Sequence, residues 1–147
     1  MIKHEPSDRT DVDRIAVGVE IVVGLGAVGG GALMMLAPDG HLLGMTTSQL
    51  SSTPFGDYVL PGIGLFTAIG LGMLLVATAT LYRDRRAPLG ALAVGCALIA
   101  MEVYEVIAIP FSVLQPVMFA AGLLIATWGI FNVASHHRSS WRNDVRG

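Results

Sequence analysis

Long apolar runs and short polar ones alternate along the chain, and the apolar runs are all of similar length. Residues 15–37, 60–81, 88–109 and 111–134 are each apolar over about the 20 residues with which a helix crosses a hydrocarbon core. Within the runs the small and polar residues recur at helical steps. In the third, Ala91, Gly95, Leu98, Glu102, Glu105 and Ile109 alternate steps of four and three, which marks one seam of an α-helix. In the first, Glu20, Gly24, Ala27, Gly31 and Met34 do the same. Gly64, Ala68 and Gly72 in the second, and Gly122 and Ala126 in the fourth, offer matching close-contact faces, because small residues let backbones approach in lipid. The pattern predicts an all-α integral membrane four-helix bundle. A polar lead (1–14) precedes it and a polar tail (135–147) follows.

The connections differ in kind. "RDRRAP" is tight, and Pro88 suits a first helical turn. Pro110 and Pro116 interrupt the apolar run between spans three and four. The connection from Pro38 to Asp57 is long; it opens on "PDG", closes on "TPFGDY", and its "HLLGMTTSQL" is expected to form a short surface helix. The lead is expected to be mobile, and Trp141 in the tail to anchor at the headgroup layer.

Composition agrees with the pattern. Of 147 residues 53% are apolar and 14% charged, against roughly a quarter charged in a soluble domain. The nine basic residues fix an orientation. Lys3, Arg9 and Arg14 precede span one, Arg83, Arg85 and Arg86 join spans two and three, and Arg138, Arg142 and Arg146 follow span four. These segments share one side, which the positive-inside rule makes the cytoplasm of a plasma membrane. Both termini are expected there. The first span is too long for a signal core and follows Asp8, Asp11 and Asp13, so it is expected to stay uncleaved. Cys96 is the only cysteine and permits no internal disulfide.

Several chemistries drop out. Gly24, Gly26 and Gly29 have the G-x-G-x-x-G spacing of a dinucleotide loop, but they lie mid-span with no second strand after them, so they are read as packing surface. His4, His41, His136 and His137 lie outside the spans, so no haem or metal site is expected, nor any other cofactor. There is no nucleophile motif and no basic nucleic-acid surface. The chain is expected not to be an enzyme.

The intramembrane acids carry the functional question. A carboxylate at a helix centre costs about 2.5–3.5 kcal/mol on insertion scales, so such residues face protein or water and often mark function. By helix rise, Glu102 lies about 21 Å and Glu105 about 26 Å along span three, in its outer third, and Glu20 about 8 Å into span one, so Glu20 and Glu102 differ by about 13 Å in depth. Glu20 is expected to reach the inner interface or to pair with Arg83, Arg85 or Arg86, with transport as its alternative role. Glu102 and Glu105 are neighbours on one helix and, with Asp57, Tyr58, Tyr104 and Gln115 at similar height, are expected to line an outward-facing polar pocket. A ligand site for a proton, metal ion or organic cation and a structural hydrogen-bond network both fit that cluster.

"TPFGDYVLPG", the glutamate late in span three, and "LQPVMFAAG" resemble a family of small four-span membrane proteins common in actinobacteria. The family pattern is S/T-P-F-x-D-Y-x-x-P-G before span two and L-Q-P-x-x-F opening span four, and the likeness runs from about Pro38 to Ala126. It implies the four-span layout and an outward polar cluster centred on Asp57, Glu105 and Gln115, but no reaction. Where the family often has tryptophan a turn before the glutamate this chain has Met101, and Glu102 is an added acid. Small multidrug-resistance exporters resemble the chain only in helix number and a glutamate in span one. Their charge bias is weak, and here every basic residue falls on one side. The first expectation is a non-enzymatic accessory or binding protein whose partners are the bilayer and, through Gly/Ala faces, a second copy or a larger membrane protein. The alternative is an oligomeric proton- or cation-coupled transporter.

Overall fold

The computed structural model describes residues 7–108 and 113–144. Ile109 and Pro110, the first six residues of the lead and the side chains of His136, His137 and Trp141 lie outside the described residues. Four helices run up and down: α1 (Ser7–Leu36), α2 (Val59–Leu81), α3 (Ala87–Ala108) and α4 (Leu114–Asp144). Each contains a segment long and apolar enough to span a membrane: Asp11–Leu36, Val59–Leu81, Ala87–Ala108 and Leu114–Ala134. Neighbours in sequence are neighbours in space, and a smaller contact between α1 and α4 closes the bundle.

Two polar segments carry helical backbone. From Ser7 the lead is helical, and the acids Asp11 and Asp13 stand in its N-terminal part, the end that a helix dipole makes favourable for negative charge. The tail continues α4 to Asp144. Both helices therefore run past the turn between α2 and α3.

That turn is short and tightly wound. Asp84 N–H donates to the Ala79 carbonyl (2.9 Å) and Arg83 N–H to Thr80 (3.0 Å), the paired bonds of a Schellman ending, with Arg83 in the left-handed position at φ 55°. Asp84 then accepts from Arg86 N–H (2.8 Å) at the start of α3. At the opposite end, residues 38–58 form two separate 3₁₀ turns, His41–Leu43 and Thr47–Leu50, instead of the single surface helix expected. Gly44 between them has φ 67°, which ends the first turn. Tyr58, 2% exposed, fastens this loop: its N–H donates to the Pro38 carbonyl (2.9 Å), and its hydroxyl shares one proton between the Thr46 carbonyl (2.9 Å) and Gln49 Oε1 (3.2 Å).

The core stripes of three helices follow the sequence periodicity. Glu20, Gly24, Ala27 and Gly31 are buried in α1, Ala91, Gly95, Leu98 and Glu102 in α3, and Gly122 and Ala126 in α4. Helix α2 departs from it. Gly64 and Ala68 are exposed and Gly72 is only half-buried, while Gly62, Ile69, Gly70, Met73, Val76 and Ala77 are inside. The reason lies in the partner. A Cβ on Gly31 of α1 would stand 2.7 Å from Phe66 N and one on Gly24 2.9 Å from Leu74 Cγ, while one on Gly62 of α2 would stand 2.8 Å from Met34 Cβ and one on Gly70 2.7 Å from Val28 Cγ2, so each helix sets glycines against larger residues of the other. The stripe Gly62, Phe66, Gly70, Leu74 advances by fours, which in an α-helix drifts about 40° per step. A π-helical segment, Leu65–Leu71, underwinds α2 along this contact and holds the stripe against α1.

Candidate functional site

Three polar side chains are buried in the bundle among the described residues: Glu20 (0% exposed), Glu102 (4%) and Gln115 (4%). They fall into two groups, one near each end.

Near the loop end, Glu102 and Gln115 come from adjacent helices. Gly95 of α3 abuts Ala126 of α4, 2.7 Å from a Cβ to Ala126 N, and Gly122 abuts Ile99. Continuing that antiparallel register sets Glu102 level with Met118 and Phe119, and Gln115 a turn higher, level with Glu105 and Val106. Glu105 is half-buried beside them. Glu102 Oε2 has no hydrogen-bond partner among the described residues. The other expected members are not drawn in. Asp57 is exposed and accepts from Val59 N–H (3.0 Å), Tyr104 is exposed, and Tyr58 turns into the loop it fastens. The polar group that geometry assembles is Glu102, Glu105 and Gln115.

Near the turn end, Glu20 occupies a core position of α1. It stands between Ala16 and Val23, which pack with Met73, Val76, Ala91, Ile125 and Trp128 in one apolar cluster. Neither carboxylate oxygen has a hydrogen-bond partner among the described residues. It neither reaches the interface nor pairs with Arg83, Arg85 or Arg86, which are exposed on the turn. The reason is that its face of α1 turns into the bundle, where this cluster encloses it. Gly24 meets Leu74 and Gly90 meets Val76, so Glu20 is level with about Gly90 of α3, and about 12 residues, or about 18 Å, separate it from Glu102 along the axis. This exceeds the roughly 13 Å that the sequence implies because Ile15 lies lower in the bundle than Pro88, so the two spans do not start at one level.

Two further features escaped the sequence. Trp128 of α4, 8% exposed, donates from Nε1 to Asp13 Oδ1 of α1 (3.0 Å) and ties the first helix to the last. The signal was an indole N–H inside an apolar span, which needs an acceptor when buried. Thr80 Oγ1 is buried with no hydrogen-bond partner among the described residues, whereas Thr67 and Thr78, the other threonines of α2, are exposed and donate to backbone carbonyls four residues back. Among the described residues no three His, Cys, Asp or Glu side chains are grouped to hold a metal ion.

No family model, curated protein or solved structure matches this chain.

Proposed function

We propose that the chain is a small multi-pass protein of the plasma membrane, non-enzymatic, which binds a proton or small cation at the acidic group near its loop end. The observation that supports this reading is Glu102, 4% exposed with one oxygen unpartnered, placed one helical turn from Glu105 and from the level of buried Gln115. A carboxylate in that setting is stable only when its charge is neutralised by a ligand or a proton. The basic residues before α1, between α2 and α3 and late in α4 favour cytoplasmic termini, which makes the Glu102 end the outward one. The likeness of "TPFGDYVLPG" and "LQPVMFAAG" to small four-span actinobacterial proteins agrees with this layout. For a second copy or a larger membrane partner, Gly18, Gly26, Gly29 and Gly64 leave open space on the outside of the bundle.

A second reading, a proton- or cation-coupled transporter acting as an oligomer, is favoured by Glu20: a buried acid in each half of the bundle is what passage between two sides requires.

The test is proton release and cation-dependent thermal stabilisation of the purified protein, with Glu102→Gln and Glu105→Gln as controls. The binding reading expects both signals to be lost in Glu102→Gln and weakened in Glu105→Gln. Signals unchanged in both variants would leave a scaffold without a ligand site. Co-purification of a stoichiometric membrane partner would favour the accessory role.

A further inference from the structure

Glu20 and Thr80 occupy equivalent places on facing helices. The core stripe of α1 reads Ala16, Glu20, Val23, Ala27, and that of α2 reads Ile69, Met73, Val76, Thr80, both in steps of four, three and four. Each polar residue thus stands where the repeat calls for an apolar one. The register set by Gly24 on Leu74 and by Val28 on Gly70 places Thr80 about one helical turn nearer the α2–α3 turn than Glu20. Helical side chains lean toward their own N-terminus. As α1 and α2 run in opposite directions, Glu20 leans toward the turn and Thr80 leans away from it, so the two converge. All three side-chain oxygens are buried and lack hydrogen-bond partners among the described residues.

We propose that Glu20 and Thr80 form a second site, a proton-binding station just inside the turn end. Glu20 takes up one proton to become a neutral carboxylic acid, and the Thr80 hydroxyl hydrogen-bonds to it, directly or through one water. The donor set favours a proton over a metal ion. Two carboxylate oxygens and one hydroxyl fall well short of the six to eight oxygens a hard cation such as calcium gathers. Thr80 lies in the last turn of α2, next to the exposed residues 82–86, and so stands between solvent and Glu20. Among the described residues no other charged side chain is buried at this level. On α1, Asp13 is engaged by Trp128, and Asp11 and Arg14 form an exposed pair; Arg83, Arg85 and Arg86 face outward. The titratable groups of α3 are Cys96 and Tyr104, both exposed, and the distant Glu102 and Glu105, and α4 has none from Leu114 to Ala134.

The site is independent of the Glu102 group, and the experiment separates them. Infrared difference spectra of the full chain in lipid nanodiscs, between acid and alkaline pH, read protonated carboxyl groups by their C=O stretch. A titrating band is expected that is lost in Glu20→Gln and retained in Glu102→Gln. Thr80→Val should move the band and its midpoint, and Thr80→Ser should restore both. A carboxyl signal indifferent to Glu20→Gln would overturn the proposal, as would one that Thr80→Val leaves in place. So would sodium- or calcium-dependent stabilisation at alkaline pH that Glu20→Gln abolishes, since it would mark a metal site. If Glu20→Gln does not fold, the Thr80→Val and Thr80→Ser pair decides alone.

Discussion

The two ends of the bundle are closed by different means. At the loop end a buried tyrosine fastens twenty residues of irregular chain, with three hydrogen bonds drawn from Pro38, Thr46 and Gln49. At the turn end the α2–α3 connection is short and self-contained, and the contact of first helix with last includes one indole–carboxylate bond. The acids differ in the same sense. Glu102 has a half-buried acid and a buried amide for neighbours, whereas Glu20 stands among apolar side chains with a single hydroxyl near. The loop end is held by backbone and ring packing, the turn end by few polar contacts, so the same change in charge should matter more at the turn end.

Three measurements probe that contrast, the first with the largest effect. Tyr58→Ala removes a fully buried ring and is expected to destabilise the protein by about 3–5 kcal/mol. Thermal unfolding in detergent reads this, and proteolysis within residues 38–58 should precede global unfolding. A loss under about 1 kcal/mol would mean that Tyr58 does not secure the loop end. Next, Trp128→Phe keeps most of the ring but removes the donor to Asp13, with an expected loss of about 1.5–3 kcal/mol for a hydrogen bond to a charged group. Crosslinking between cysteines placed on α1 and α4 should fall with it. If crosslinking is unchanged, the turn end is closed by packing alone and the contrast narrows. The smallest effect belongs to Asp39, whose carboxyl the His41 ring holds below its ordinary value through a 2.6 Å hydrogen bond. A lowered folded-state value contributes stability that is present above the ordinary carboxylate range, about pH 4, and is lost as pH falls through the folded value. Both partners are exposed, so Asp39→Asn should change the unfolding temperature barely at neutral pH and flatten its fall in acid.

Much of the architecture was legible from periodicity alone. The four spans follow from the length of the apolar runs, and the inward faces of α1, α3 and α4 from small residues recurring at steps of three and four, since that recurrence lets helices approach in lipid. Helix α2 departs from the pattern because its contact with α1 interleaves glycines of each helix with larger residues of the other, Gly62 and Gly70 lying against Met34 and Val28. Phe66 and Leu74 are large, and the room for them is made by Gly31 and Gly24 on the other helix. The helix from Ser7 was not legible in the polar lead, because polarity does not distinguish a coil from a helix start rich in acids. Of the outer cluster, similar height along the sequence brought Glu102, Glu105 and Gln115 together but said nothing of azimuth, and Asp57 and Tyr104 face away. Glu20 was assigned to the interface from its depth within one helix. What encloses it is an apolar cluster drawn from all four helices at its level, a property of packing that no single segment records.

The π-helical segment bears on how this protein measures the bilayer. Bonds that skip five residues gather more chain into each unit of axial length than α-helical bonds do, so the 23 residues of Val59–Leu81 reach less far than their number implies. Residue count is a poor ruler for this span, and the hydrophobic thickness it matches is thinner than its sequence alone would indicate.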